Sequence, residues 1–112
     1  MSGRGRGDRA RLSDIAGAID DLEAIAAGGR RTFERSRRDQ LAARAALEIL
    51  GEAARQLSPE LRAAHPVIDW EELMAFRNRA IHEYFQVSSS ELWEIATRKL
   101  PALRERLRQV RA

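Results

Sequence analysis

Cysteine is absent from this 112-residue chain. Disulfides, thiolate nucleophiles and cysteine-ligated zinc are excluded with it. Histidine is nearly absent, since His65 and His82 are the only two, so no histidine-rich metal cluster is expected. No glycine-rich phosphate loop is present, and no carboxylate pair is placed like a metal site, so no metal and no cofactor are expected. No run of eighteen or so apolar residues occurs, so no membrane-spanning helix is expected. The basic start "MSGRGRGDRAR" is followed by no apolar core of a secretory signal, and the expected location is the cytoplasm. Lysine is represented by Lys99 alone, although basic residues number 20 against 17 acidic ones. Nearly all the positive charge is therefore arginine, whose forked guanidinium grips phosphate. The net +3 is mild and permits phosphate contact without announcing it, and an arginine- and alanine-rich genome explains the composition equally well.

What the chain does contain is helical periodicity. Its length suits one domain with one core. Residues 1–11 are Gly/Arg-rich and are expected to form a flexible basic arm, with a single helical domain over 12–112. Leu12, Ile15, Ile19, Leu22, Ile25 and Ala26 recur at helical spacing, and Gly28-Gly29 ends that helix. "RRTFERSRRD" reads as a connector with about one helical turn. Ser36 with Asp39 resembles a capping box and opens a second long helix carrying Leu41, Ala45, Leu47, Ile49, Leu50, Ala53, Ala54 and Leu57 as its apolar set. Gly51 inside that helix costs about 1 kcal/mol against alanine, and often marks close helix approach.

Ser58 and Pro59 start a short helix that Pro66 ends. Asp69 with Glu72 caps the next helix, and Ser88 with Glu91 caps the last one, in which Pro101 forces a kink or a break. No segment alternates like a strand. The expectation is an all-α, four-to-five-helix up-and-down bundle.

The stretch "RNRAIHEYF", residues 77–85, concentrates two arginines, an amide, an imidazole and the only tyrosine. At ~100° per residue, Leu73, Phe76, Ala80 and Tyr84 share one apolar stripe, with Arg77 on its rim ~20° beyond Tyr84. A guanidinium partly buried there is costly unless satisfied, and Glu48 and Glu52 are possible internal partners. His82 falls ~140° around and ~7.5 Å along from Arg77 on an ideal helix, beside Asn78. The two meet at one ligand only if the helix is distorted or a second copy of the chain supplies the other half. Spacing alone leaves plainer readings open: Arg77 in a salt bridge, His82 on the surface, Tyr84 in the core. Trp70 and Trp93, at helix starts, read as packing anchors, His65 as a turn residue. The arginines at 30, 31, 35, 37 and 38 read as a solvated connector that is also able to extend an RNA-binding surface.

The motif resembles the Arg-Asn-x-x-x-His-x-Tyr-Phe pattern of the HEPN superfamily in its HepT-like toxin branch. Arg77, Asn78, His82, Tyr84 and Phe85 all match. The block "EILGEAARQLSPELRAAHPVIDWEELMAFRNRAIHEYF" is similar to that family's central block, and "ELWEIATRKLPALRERL" to its closing helix. The likeness covers about residues 12–108. Where relatives often carry glycine after the histidine, this chain has Glu83, which sets a carboxylate beside the imidazole.

The resemblance implies a helical bundle dimerising around the motif-bearing helix. It implies a metal-independent endoribonuclease toxin, with Arg77 and His82 catalytic and Asn78 supporting. It also implies a partner, an MntA-like nucleotidyltransferase antitoxin, which silences the toxin by complex formation or by transferring AMP to Tyr84. The chemistry suits the residues. His82 exchanges protons near neutral pH, and Arg77 stays charged and holds two phosphate oxygens. A non-catalytic helical module that binds a nucleotide or the transferase is the alternative, and a plain dimerisation bundle a third.

Overall fold

A glycine or a short polar side chain, at Gly29, Ser36, Ser58 and Asp69, precedes four of the helices. The computed structural model describes residues 3–82 and 89–111. Helix α1 spans Gly3–Ala26, α2 Arg30–Arg35, α3 Arg37–Gln56, α4 Pro59–Ala64, α5 Trp70–His82, α6 Ser89–Glu94 and α7 Leu100–Leu107. A π-helical turn over Ile95–Lys99 joins the last two into one rod. The architecture is the expected all-α bundle.

The local signals act as read. The Ser36 hydroxyl accepts the Asp39 N–H at 3.0 Å, the Ser58 hydroxyl accepts the Leu61 N–H at 3.2 Å, and the Asp69 carboxylate accepts the Glu72 N–H at 3.0 Å. Each satisfies an amide that the first helical turn would otherwise leave unpaired. Gly29 follows the end of α1 with φ +93°, a backbone conformation open to glycine and strained for other residues. The Ser88–Glu91 cap rests on residues 83–88, outside the described residues.

Pro101 disturbs the last rod without breaking it. Proline has no N–H for the Thr97 carbonyl one turn back, and its ring crowds that carbonyl. The turn before it widens, and the Leu100 N–H donates to the Ile95 carbonyl. Thr97 Oγ1 also bonds back to the Trp93 carbonyl at 2.8 Å.

Helix α3 is the central element, packed mainly against α1 on one side and α5 on the other. Ile15, Ile19 and Leu22 from α1, Leu50 from α3, Leu73 from α5 and Leu92 and Leu100 from the last rod are almost wholly buried. Each such side chain contributes about 1.5–3 kcal/mol by leaving water. Trp70 and Trp93 serve packing, as expected. The Trp70 indole is 7% exposed and donates to the Arg62 and His65 carbonyls, both at 3.1 Å. The Trp93 ring lies 5.8 Å from that of Phe33.

Three readings change. The connector is a full helix, α2, because Phe33 is buried in the core and pins it there. The supposed arm is helical from Gly3, and Asp8 within it is buried. Its carboxylate accepts the Ser58 N–H at 2.8 Å and the Ser58 hydroxyl at 2.7 Å, tying α1 to the α3–α4 corner. Leu41, Ala45 and Ile49 face outward, while α3 turns Ala43, Ala46, Leu47, Leu50, Gly51, Ala53 and Ala54 inward. Among the described residues no helix is long and apolar enough to cross a membrane.

Candidate functional site

Gly51 fixes where α3 and α5 cross. A Cβ placed on it would lie 2.6 Å from both the Cβ and the backbone nitrogen of Arg77, and 2.9 Å from the Leu73 carbonyl oxygen. Only a residue without a side chain allows so close an approach. The crossing point is therefore Arg77 itself.

The next residue on α3 is Glu52, and the close crossing brings its carboxylate to the guanidinium. Arg77 Nε lies 2.9 Å from Glu52 Oε1. Of the two acids read as possible partners for Arg77, Glu52 takes the role, whereas Glu48 is exposed. Glu52 is itself braced from its own helix. Arg55 donates Nε to Oε1 at 3.1 Å and Nη2 to Oε2 at 2.6 Å, and Gln56 Nε2 donates to Oε2 at 2.7 Å. The hydrogen bonds from Arg55 and then Gln56, with the positive charges of Arg55 and Arg77, hold the Glu52 carboxyl down at about 2 against the opposing effect of desolvation. The acid is ionised throughout the neutral range.

Asn78 is exposed, and its side-chain oxygen accepts Arg77 Nη1 at 3.3 Å. Arg77 thus has Nε on Glu52 and Nη1 on Asn78, while Nη2 has no partner among the described residues. Two residues after Arg77, Arg79 pairs with Glu91 across to α6. Leu73, Phe76 and Ala80 are buried as the apolar stripe requires, and the Arg77 side chain keeps 35% of its surface. That is enough for an anion to reach it.

His82 is the last residue of α5. Glu83, Tyr84 and Phe85 lie outside the described residues. Helix α5 is regular α-helix from Trp70 to His82, without a π turn or break between positions 77 and 82. The two positions therefore keep their ideal separation of ~140° around the axis. Arg55 and Gln56 did not stand out in the sequence. Their signal is the spacing of three and four residues after Glu52, which sets all three side chains on one face. Among the described residues no three His, Asp or Glu side chains gather into a metal-binding group.

A half-exposed arginine held by a buttressed carboxylate, five positions before a histidine, is one local motif; the rest of the chain agrees with it. The sequence profile of a family described as "Ribonuclease HepT-like" matches residues 15–110. The chain belongs to the HepT-like ribonuclease family. It is similar to a Thermococcus cleftensis protein named "Probable ribonuclease HepT", with 33% identity over 101 residues, covering 89% of this chain and 92% of that protein. It is also similar to a "Putative RNase" of Caldanaerobacter subterraneus, with 34% identity over 82 residues, covering 70% of this chain and 73% of the relative. No solved structure matches. The HepT-like match takes in both halves of the Arg77–Glu52 pair and the whole core that positions them.

Proposed function

We propose that this HepT-like chain is a metal-independent endoribonuclease, the toxin of a toxin–antitoxin pair, acting as a homodimer with RNA in the cleft between two motif-bearing helices. The observation that carries the reading is Arg77. It is held at the helix rim by Glu52 with one guanidinium edge turned away from that contact, in a chain whose family and relatives bear ribonuclease names.

The regularity of α5 supports the dimer. Without a distortion between positions 77 and 82, one helix does not converge both groups on one phosphate, and a second copy provides the complementary half. In the shared cleft one His82 removes the proton of a ribose 2′-hydroxyl. The 2′-oxygen then attacks the adjacent phosphorus, the bond to the 5′-oxygen breaks, and the other His82 protonates that leaving oxygen. Arg77 neutralises the charge gathering on the non-bridging oxygens. Asn78 supports the guanidinium through the contact at 3.3 Å. The products are a 2′,3′-cyclic phosphate and a 5′-hydroxyl.

Silencing falls to an MntA-like nucleotidyltransferase antitoxin, by complex formation or by AMP transfer to Tyr84. In the transfer the tyrosine oxygen attacks the α-phosphorus of ATP and pyrophosphate leaves. The new phosphate stands seven residues along the chain from Arg77, and its negative charge competes with RNA for the arginine.

The test is RNA cleavage by the purified chain in EDTA, with Arg77→Ala and His82→Ala alongside. Wild-type cleavage to cyclic-phosphate ends, lost in both variants, is expected. Wild-type protein that binds but never cuts RNA or arrests growth would replace the enzyme with a regulatory binding module.

A further inference from the structure

Glu52 meets the Arg77 guanidinium from the side. A carboxylate that meets the two terminal nitrogens end-on occupies the edge that a phosphate needs. Glu52 instead takes Nε, on the side, at 2.9 Å. This ties the guanidinium down at Nε, with Nη1 on Asn78, and leaves Nη2 without a partner among the described residues.

The carboxylate itself has no freedom to turn. Oε1 accepts from Arg55 Nε, and Oε2 from Arg55 Nη2 and Gln56 Nε2, while Arg77 Nε forms an ion pair with Oε1 at 2.9 Å. Three hydrogen bonds and one ion pair thus hold a single carboxylate through both of its oxygens. Charge is balanced as well. Arg55 and Arg77 together outweigh Glu52 by one positive charge, so the acid does not make the site repel phosphate. The backbone beneath is fixed too, because Gly51 lets α3 meet α5 at the Arg77 Cβ.

We infer that Glu52 is a positioning residue for RNA cleavage: locked by Arg55 and Gln56, it holds Nε of Arg77 so that the arginine's outer edge is already oriented for the scissile phosphate. The inference rests on the ribonuclease reading above and adds to it a residue from a different helix. Preorganisation of this kind acts on the chemical step more than on RNA binding, since the unheld arginine still attracts the polyanion but must find its orientation in each turnover.

The test uses the full chain. Glu52→Gln keeps the side chain's shape and removes its charge, and Glu48→Gln, one turn earlier on the same helix, is the control. Glu52→Gln is expected to lower kcat about 10–100-fold with KM within about threefold of wild type, while Glu48→Gln cleaves normally.

Nitrogen-15 NMR of the Arg77 Nε–H gives a readout independent of cleavage. In wild type the ion pair with Glu52 is expected to slow the exchange of this proton, and Glu52→Gln to speed it. Undiminished kcat in Glu52→Gln overturns the inference and leaves the ribonuclease reading intact. Should wild type fail to cut RNA, that reading falls, and an unchanged Nε–H signal in Glu52→Gln then disproves the positioning contact separately.

Discussion

Replacing Gly51 by alanine is expected to destabilise the bundle and to disarm Arg77 together. In an isolated helix the change is favourable by about 1 kcal/mol, because alanine has the higher helix propensity. Here the added Cβ would sit 2.6 Å from the Arg77 nitrogen and Cβ, and 2.9 Å from the Leu73 carbonyl oxygen. All three atoms belong to the backbone of α5 or lie next to it, so no side-chain rotation relieves the clash. The helices must part by about 0.8 Å for the closest atoms to regain the 3.4 Å where ordinary contact begins. Overpacking of this sort costs about 1–3 kcal/mol. Set against the propensity gain, the net loss reaches about 2 kcal/mol, which lowers Tm by several degrees and up to roughly 15 °C in a domain of this size. A parting of that size along the line between the helices also stretches the 2.9 Å Glu52–Arg77 bridge beyond hydrogen-bonding range. Calorimetry or thermal circular dichroism of Gly51→Ala measures the first effect, and RNA cleavage the second. A variant that melts at or above the wild-type temperature would mean that propensity wins, and that α3 and α5 do not meet as closely as described.

Asp8→Ala removes a buried acceptor and strands the Ser58 donors; a loss of about 1–3 kcal/mol in urea unfolding is expected, with Asp8→Asn milder, and a neutral Asp8→Ala would return residues 1–11 to a loose arm. For Glu52, the folded carboxyl lies at about 2 against an ordinary 4.5. Its contribution is therefore complete above about pH 4.5 and lost as pH falls towards 2, so the stability difference between wild type and Glu52→Gln should shrink over that window and stay flat at neutral pH. Arg55, Gln56 and Arg77 are the groups contacting it directly. Coexpression with an MntA-like transferase should add AMP to the Tyr84 peptide and not to Tyr84→Phe, as read by mass spectrometry; an unmodified peptide in a silenced complex leaves binding alone as the mode of inhibition. Re-equilibrated mixtures of wild type with His82→Ala should lose activity as the square of the wild-type fraction, to about a quarter at equal mixing, if each cut needs both histidines of a dimer. A linear fall would place the chemistry within single protomers.

The parts of the fold legible in advance were those decided within a few residues. Ser36, Ser58 and Asp69 cap helices because their side chains reach an amide three positions on, and nothing distant competes. The inward face of α3 was harder to read. Bulky Leu41 and Ile49 suggest a core stripe, yet the side that meets α1 and α5 is lined largely by alanines and Gly51, because closely approaching helices leave no room for larger side chains. Apolar periodicity weighs size, while packing here rewards smallness. The first turns of the N-terminal helix, read as an arm, escaped notice for another reason. Gly and Arg are unpromising material for an ordered start, and what anchors it is a bond between residues fifty positions apart.

The site shows the same division between local and distant causes. That Arg77 needs an acid follows from where its helix places it, on the rim of Leu73, Phe76 and Ala80. Which acid it finds depends on the depth of a helix crossing. Glu48 and Glu52 both lie on α3, one turn apart, and Glu52 prevails because it follows the one residue small enough to touch α5. A larger residue at position 51 would hold the helices apart and leave the guanidinium to solvent. The glycine that weakens α3 as a helix is thus what makes the arginine's orientation possible, and the cost in propensity falls at the point where the chain gains a fixed cation.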